Sequence, residues 1–415
     1  MPKLLIICDV YPPSFAPRMG YLVKYMEEYG WAADIVTRNY DGDFSFKSLL
    51  GNEKVFRVGE KPLPLRTLKE KLTRLLTKNQ QHTRRKDYMV SFILDHLKPD
   101  DYSFILASTA FRTFILDVAD EVSKSWNKPW IADLRDIFEQ KPIKISPNKD
   151  LKNYLLDKLD NNYQKFMFQQ RNLRFKNVNT ITTITPWHVE QLKKYNPNTH
   201  LIYNGYDPEN FYPQVVKGQK QFKITYTGII NSIEYRDPTL LFRAVKKLSK
   251  NNIIDKEQFR IQLYTQKNRR AVVIENKDYQ EIKEFVDFYD YVDTSEIPKI
   301  LNESSILLLL SNKYTPTGPK GLISTTKYFE YLAVERPILC IKSDEDLLEE
   351  SIHKANAGLS ARTLDETYDF LLEKWNEWKN KGRTSVKINK EYIKQFSRKK
   401  QAKQFVDLFE KVIRE

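Results

Sequence analysis

Ser305-Ile-Leu-Leu-Leu-Leu-Ser311, Asn312-Lys-Tyr-Thr-Pro-Thr-Gly-Pro-Lys-Gly321, Ser324-Thr-Thr-Lys-Tyr-Phe-Glu-Tyr-Leu-Ala333 and Pro337-Ile-Leu-Cys-Ile341 follow one another closely, and their reading decides the fold. Ile306 to Leu310 is a short run, apolar at every position, as a strand buried on both faces of a parallel sheet requires. The next ten residues are rich in chain breakers and read as a loop. Ser324, Thr325 and Thr326 offer N-cap oxygens for a helix through Tyr328, Phe329, Tyr331 and Leu332. Pro337 ends the following turn, and Ile338 to Ile341 is a second buried strand. The unit is strand, loop, helix, strand.

In such a unit the helix start turns unpaired N–H groups and the positive dipole end toward whatever lies above the strand ends, and a diphosphate suits that place. Lys327 adds a positive charge in the first turn, and Glu330 lies about one turn further in, placed to accept hydrogens from two ribose hydroxyls. The plain alternative is a βαβ unit in which Glu330 is a solvated helix residue.

The run Ser324 to Ala333 followed by Arg336-Pro-Ile-Leu339 resembles the nucleotide-sugar signature of family 4 glycosyltransferases, of the bacterial surface-polysaccharide type. The resemblance implies an α/β chain of GT-B fold: two Rossmann-like domains facing a cleft, with the C-terminal helix packing back on the first. It gives Glu330 the ribose of the donor. Many members carry a second glutamate eight residues earlier; here that position is Leu322, so sugar contact on that side falls to Lys320 or to loop N–H groups.

Length and composition agree with two domains. The chain has 415 residues, 41% hydrophobic and 13% aromatic. Its two cysteines, Cys8 and Cys340, fall in separate predicted strands without metal-like spacing and read as reduced, inert thiols of a cytoplasmic protein. Leu4 to Cys8 is too short for a signal h-region, and no apolar run approaches the ~20 residues of a membrane span. The net charge of +14 suits an anionic partner: a sugar nucleotide, an anionic membrane face or nucleic acid. The basic residues are spread along the chain without a recognised nucleic-acid motif, which argues against the last.

From the start, Lys3 to Cys8 reads as a strand, Tyr11-Pro-Pro13 as its exit loop, and Met19, Leu22, Val23 and Met26 as a helix face stopping at Gly30. Arg18, at that helix start, reads either as a phosphate or acceptor contact or as a surface arginine. Leu65 to Leu97 is helical sequence, and within it 66–86 holds eight Lys or Arg and one acid, Glu70. This is either a helix docking on an anionic membrane leaflet or a packed helix with a solvated basic face. The strand Pro129 to Asp133 runs into Asp133-Leu-Arg-Asp136, and charges at the C-terminal end of a parallel strand sit where open α/β sheets bind ligands. That stretch resembles an Asp-Leu-Arg-Asp pattern of a family 4 subgroup. Asp133 or Asp136 is therefore the expected polar group nearest the reacting sugar, with Arg135 steering anions. The alternative is a capping Asp paired with Arg135.

Tyr203-Asn-Gly-Tyr-Asp207 resembles the family's crossing between domains. The expected division is 1–205 for an acceptor domain, 206–395 for a nucleotide-sugar domain and 396–415 for the returning helix. Phe222 to Thr227 restarts the alternation, and Gly228 allows close backbone approach. By resemblance Arg236 meets the donor diphosphate, Lys267 is a weaker phosphate candidate, and Tyr289 and Tyr291 lie near the base.

The implied reaction is retaining transfer of a sugar from a nucleotide donor to an acceptor hydroxyl, without a cofactor or metal. Arg236, Lys327, Asp133 and Asp136 are the catalytic candidates. Glu330, Gly228, Ser324, Thr325, Thr326, Lys320, Arg18, Lys267 and Tyr291 are the binding candidates. The acceptor is a sugar or a lipid-linked sugar. The rival readings are a non-hydrolysing sugar-nucleotide epimerase on the same scaffold and a non-catalytic nucleotide-sugar-binding protein.

Overall fold

The computed structural model describes residues 1–14, 16–39, 46–59, 78–140, 151–216, 218–311, 321–323 and 325–414. Two compact units emerge, Met1–Tyr203 together with Gln401–Glu415, and Asn204–Lys400.

The first unit is built on β1 (Lys3–Cys8), β2 (Ala32–Arg38), β3 (Lys54–Val58), β4 (Phe104–Thr109), β5 (Trp130–Leu134), β6 (Thr180–Thr183) and β7 (Thr199–Leu201). They form one sheet in the order β3-β2-β1-β4-β5-β6-β7, parallel throughout. Leu4, Leu5, Ile6 and Ile7 are all fully buried, which is why this segment is apolar at every position rather than at alternate ones. Met19, Leu22, Val23 and Met26 bury one face of the helix Pro17–Met26. That helix tightens into a 3-10 turn and closes on Gly30 at φ 75°, a left-handed position that favours glycine.

The helix Arg398–Arg414 adds Ala402, Phe405, Val406, Phe409 and Val412 to the first unit's core. Phe409 lies against Trp31 and Phe104, with ring centroids 5.5 Å and 4.8 Å away. The expected return of the last helix to the first domain is thus seen. Of the basic 66–86 segment, 66–77 lies outside the described residues. The described part belongs to the helix Lys78–His96. It packs through buried Met89, Val90 and Ile93, with His82 on Asp117 at 2.6 Å and Lys86 on Glu121 at 2.7 Å. Among the described residues, no helix is long and apolar enough to cross a membrane.

The second unit repeats the plan with β8 (Phe222–Thr227), β9 (Phe259–Tyr264), β10 (Val286–Tyr289), β11 (Ile306–Leu309), β12 (Ile338–Ile341) and β13 (Gly358–Ala361). The sheet is parallel, ordered β10-β9-β8-β11-β12-β13. In each unit the strand order reverses once, between β1 and β4 and between β8 and β11. Ligands of open parallel sheets bind outside the strand ends at such a reversal.

Candidate functional site

In the second unit the reversal gathers four of the expected residues. Gly228 directly follows β8, Arg236 stands on the next loop, and Lys327 and Glu330 belong to the helix Lys327–Ala333 beyond β11. Gly228 sits at φ 150°, and a Cβ there would lie 2.6 Å from Lys327 Cε and 2.8 Å from Nζ. Its N–H donates to the Tyr264 carbonyl at 2.9 Å. What approaches this glycine so closely is therefore the Lys327 side chain, and the missing Cβ is the room that the ammonium occupies.

Burial pushes the Lys327 ammonium down to about 8; neighbouring Arg236 adds to the effect and Glu330 opposes it. Burial also pushes the Glu330 carboxyl up to about 7, against the pull of Lys327 and Arg398. Among the described residues neither charged end has a hydrogen-bond or ion-pair partner of its own. Two cations side by side with an unsatisfied carboxyl are costly in an empty protein, and such perturbed groups cluster at binding sites.

Arg236 is held in place by the backbone and by a tyrosine of β8. It donates to the Ile229 carbonyl at 2.8 Å and hydrogen-bonds the Tyr226 hydroxyl. Asp237 beside it is taken by Lys342 at 2.6 Å and by the Thr239 N–H at 2.9 Å. Thr325 is buried. Thr326 is the helix N-cap, yet its side chain makes no capping hydrogen bond, contrary to the expected cap. Leu322 is buried as well, so that position presents no polar group. Lys267 is exposed on the turn after β9. Tyr289 stacks on Tyr264 at 4.7 Å, and Tyr291, 54% exposed, lies just beyond β10. Ser324 and Lys320 lie outside the described residues.

The first unit treats its candidates differently. Arg18 is 3% exposed and Asp133 fully buried, and the two form an ion pair. Arg18 Nε donates to both Asp133 oxygens at 3.1 Å and Nη2 to Oδ1 at 2.9 Å. Ser108 and Thr182 also donate to this carboxylate, at 2.9 and 2.8 Å. Arg18 also donates to the carbonyls of Tyr203 and Ile202, and its guanidinium lies over the Phe405 ring at 5.2 Å. Arg18 is thus buried, not a surface arginine, and the Asp133 carboxylate accepts from three protein side chains. Asp136 keeps partial exposure and accepts from Gln140 at 2.8 Å. Gln140 in turn meets His188 Nε2 at 2.8 Å, and burial pushes that imidazole down to about 4, so it is neutral. An Arg–Asp contact across 115 residues leaves no local trace in a sequence.

Sequence reading also passed over Asp9, which directly follows β1 at the other reversal. The rule applied to the end of β5 points to it equally. Asp9 meets Arg38 at 3.3 Å and Arg112 at 2.9 Å.

No family model matches the sequence, and no curated protein matches it either. Solved structures do match over nearly the whole length. Sucrose-phosphate synthase of Thermosynechococcus elongatus is similar with a TM-score of 0.64 at 13% identity, covering 99% of both chains. HepE of Anabaena, solved with UDP, gives 0.61 at 14% identity over 99% of this chain and 100% of that one. A glycosyltransferase of Rickettsia africae gives 0.58 at 10% identity over 99% and 98%. At such identities the likeness speaks to architecture. The two parallel α/β sheets, of seven and six strands with flanking helices, and the full-length match establish the GT-B fold for this chain.

Proposed function

We propose that this protein is a retaining glycosyltransferase that takes a sugar from a nucleotide donor and places it on an acceptor hydroxyl. The observation that carries the reading is the cluster at the β8–β11 reversal: Lys327 lodged over Gly228, Arg236 beside it, and an unsatisfied Glu330 on the same short helix. The donor's diphosphate satisfies the two cations, and its ribose hydroxyls donate to Glu330. As the bond from the sugar's anomeric carbon to the diphosphate breaks, charge grows on the leaving oxygens. Fixed cations already aimed there stabilise that charge without reorganisation. The acceptor oxygen bonds to the same carbon from the same face, and its proton passes to a leaving phosphate oxygen. Asp136, partly exposed, is the carboxylate of the 133–136 segment suited to the sugar side.

Calorimetry with UDP-glucose and GDP-mannose, followed by NMR of the product with an acceptor present, tests this. Binding that survives Glu330→Ala unchanged overturns the ribose role. An epimeric sugar nucleotide as the product points to the epimerase. Buried Leu322, standing where many members carry a sugar-contacting glutamate, favours one second reading, a non-catalytic nucleotide-sugar-binding protein. Tight binding without release of nucleotide diphosphate would decide for it.

A membrane-borne acceptor is part of the proposal. The helix Leu151–Arg174 carries Leu159, Phe166 and Leu173 at seven-residue spacing, 41–49% exposed. Lys158 and Lys165 are exposed beside them. Apolar side chains flanked by lysine suit an anionic lipid surface. Absence of co-sedimentation with phosphatidylglycerol vesicles at low salt removes this part.

A further inference from the structure

The ends of β5 and β6 lie side by side, because Leu134 pairs with Thr183. Their exit segments therefore leave the sheet together, 135–140 after β5 and 184–188 after β6. On the second of these, Thr185 caps the helix Pro186–Lys193 by accepting from the His188 N–H at 3.2 Å. That cap seats His188, 1% exposed, in the first turn, with its Nε2 2.8 Å from Gln140 Oε1 on the first segment. The segment carrying Gln140 is clamped independently. Arg171, 2% exposed, gives Glu139 two parallel hydrogen bonds, at 2.8 and 2.6 Å. Its guanidinium also lies 4.8 to 5.7 Å from the rings of Phe168, Phe175, Tyr195 and Phe138. A guanidinium both forked onto a carboxylate and enclosed by rings has one geometry, and so has the turn it holds.

Within that turn the direction of each hydrogen bond is fixed by its partners. The Ile137 N–H can only donate, and it meets Gln140 Oε1 at 3.3 Å. The Asp136 carboxylate can only accept, and its Oδ1 meets Gln140 Nε2 at 2.8 Å. The Gln140 amide therefore has one orientation. His188 must then donate to Oε1 from Nε2. Burial keeps the imidazole neutral, as does its place at the positive end of a helix, so its Nδ1 is an acceptor. The Thr183 hydroxyl lies 3.1 Å from that Nδ1 and 2.8 Å from the Leu134 carbonyl, and shares its hydrogen between them. The relay thus runs one way, from His188 through Gln140 to Asp136 Oδ1. Asp136 is half-buried, and its Oδ2 has no partner among the described residues. Packing alone gives no reason for such a chain, since apolar side chains of the same size fill a core without desolvating polar groups. A connected polar network instead imposes one geometry on its last member.

We infer that Gln140 and His188 are positioning residues for Asp136: they hold one of its oxygens so that the other is presented to a hydroxyl of the transferred sugar, and Arg171 fixes the turn on which they act. The inference rests on the transferase reading above.

The test follows release of nucleotide diphosphate from UDP-glucose or GDP-mannose, whichever the protein binds, with water as the acceptor. Gln140→Met keeps the bulk and loses both hydrogen bonds; it should lower kcat about tenfold and leave the affinity for the sugar-free nucleotide diphosphate unchanged. Asp136→Ala should lower kcat by at least as much, and on that background Gln140→Met should have no further effect. His188→Phe, which fills the space without a donor, should cost about threefold, whereas His188→Gln, which restores an N–H toward Gln140, should recover most of the rate. If Gln140→Met leaves the rate unchanged or lowers it equally with and without Asp136, or if Phe and Gln at 188 behave alike, the inference is wrong and the transferase reading stands. A protein that binds neither sugar nucleotide, or binds one without releasing nucleotide diphosphate, removes the transferase reading and this inference with it.

Discussion

Binding of a nucleotide sugar should depend on pH in a way that the pair at the β8–β11 reversal sets quantitatively. The Glu330 carboxyl titrates near 7 in the empty site, and the Lys327 ammonium near 8. If the ribose needs the ionised carboxylate, each pH unit below 7 costs about 1.4 kcal/mol, a tenfold loss of affinity. At pH 6 affinity should be about one tenth of that at pH 7.5, with close to one proton released per ligand bound. Above pH 8 the ammonium is lost, and the diphosphate should bind about tenfold more weakly by pH 9. UDP-glucose is the right probe because neither phosphate is a monoester, so the ligand itself does not titrate in this range. Calorimetry in two buffers of different ionisation enthalpy counts the protons. Glu330→Gln should abolish the acid limb, and Lys327→Arg the alkaline one. Equal affinity at pH 6 and 7.5 without proton release would refute the reasoning. Stability follows with a worked sign. Glu330's folded value lies above the ordinary carboxyl value of about 4.5, so the native state holds the extra proton. The empty protein therefore loses stability as pH rises from about 4.5 to 7, by on the order of 3 kcal/mol. The ligand should offset part of this.

Gly228→Ala should displace Lys327 and weaken UDP-glucose about as much as Lys327→Met does, with ~1–3 kcal/mol lost to backbone strain; unchanged affinity would mean that the close approach is incidental. Arg236→Ala should lower turnover more than donor affinity, which steady-state kinetics with an accepted donor will separate; a wild-type rate excludes it from the site. Arg18→Met strands the Asp133 carboxylate in the core and should cost ~3–5 kcal/mol in urea melts. The double variant Arg18→Met/Asp133→Leu should recover much of this, and a double variant no better than the single would speak against an isolated charge as the cause.

The fold could be read because parallel strands buried on both faces, such as Leu4 to Ile7 and Ile306 to Leu309, must be apolar at every position, and such runs stand out. Gly228, Arg236, Lys327 and Glu330 could each be placed at strand ends by the βα alternation, so their gathering was foreseeable. The fate of Arg18 was not: a helix-start arginine looks the same whether it meets solvent, a ligand or an aspartate 115 residues away. Asp133 and Asp136 are neighbours in one motif, yet β-strand geometry buries the first and leaves the second at the edge. The pattern Asp-Leu-Arg-Asp holds no hint of which is which. Asp9 was within reach of the strand-end rule, but a lone acid after a first strand carries no motif to draw notice.

The helix that ends at Arg414 closes a core whose other walls come from between Leu4 and Ile202, among them Trp31 and Phe104. On the ribosome those walls are made first and the helix last. By the time Gln401 emerges, every strand of the second unit has already been translated. The nascent first unit must therefore wait with an oily seam uncovered and with the Phe405 side of Arg18 bare, while its younger neighbour is free to finish. A chain cut at residue 400 never escapes that stage. Its exposed seam is the kind of surface on which chaperones act and inclusion bodies grow.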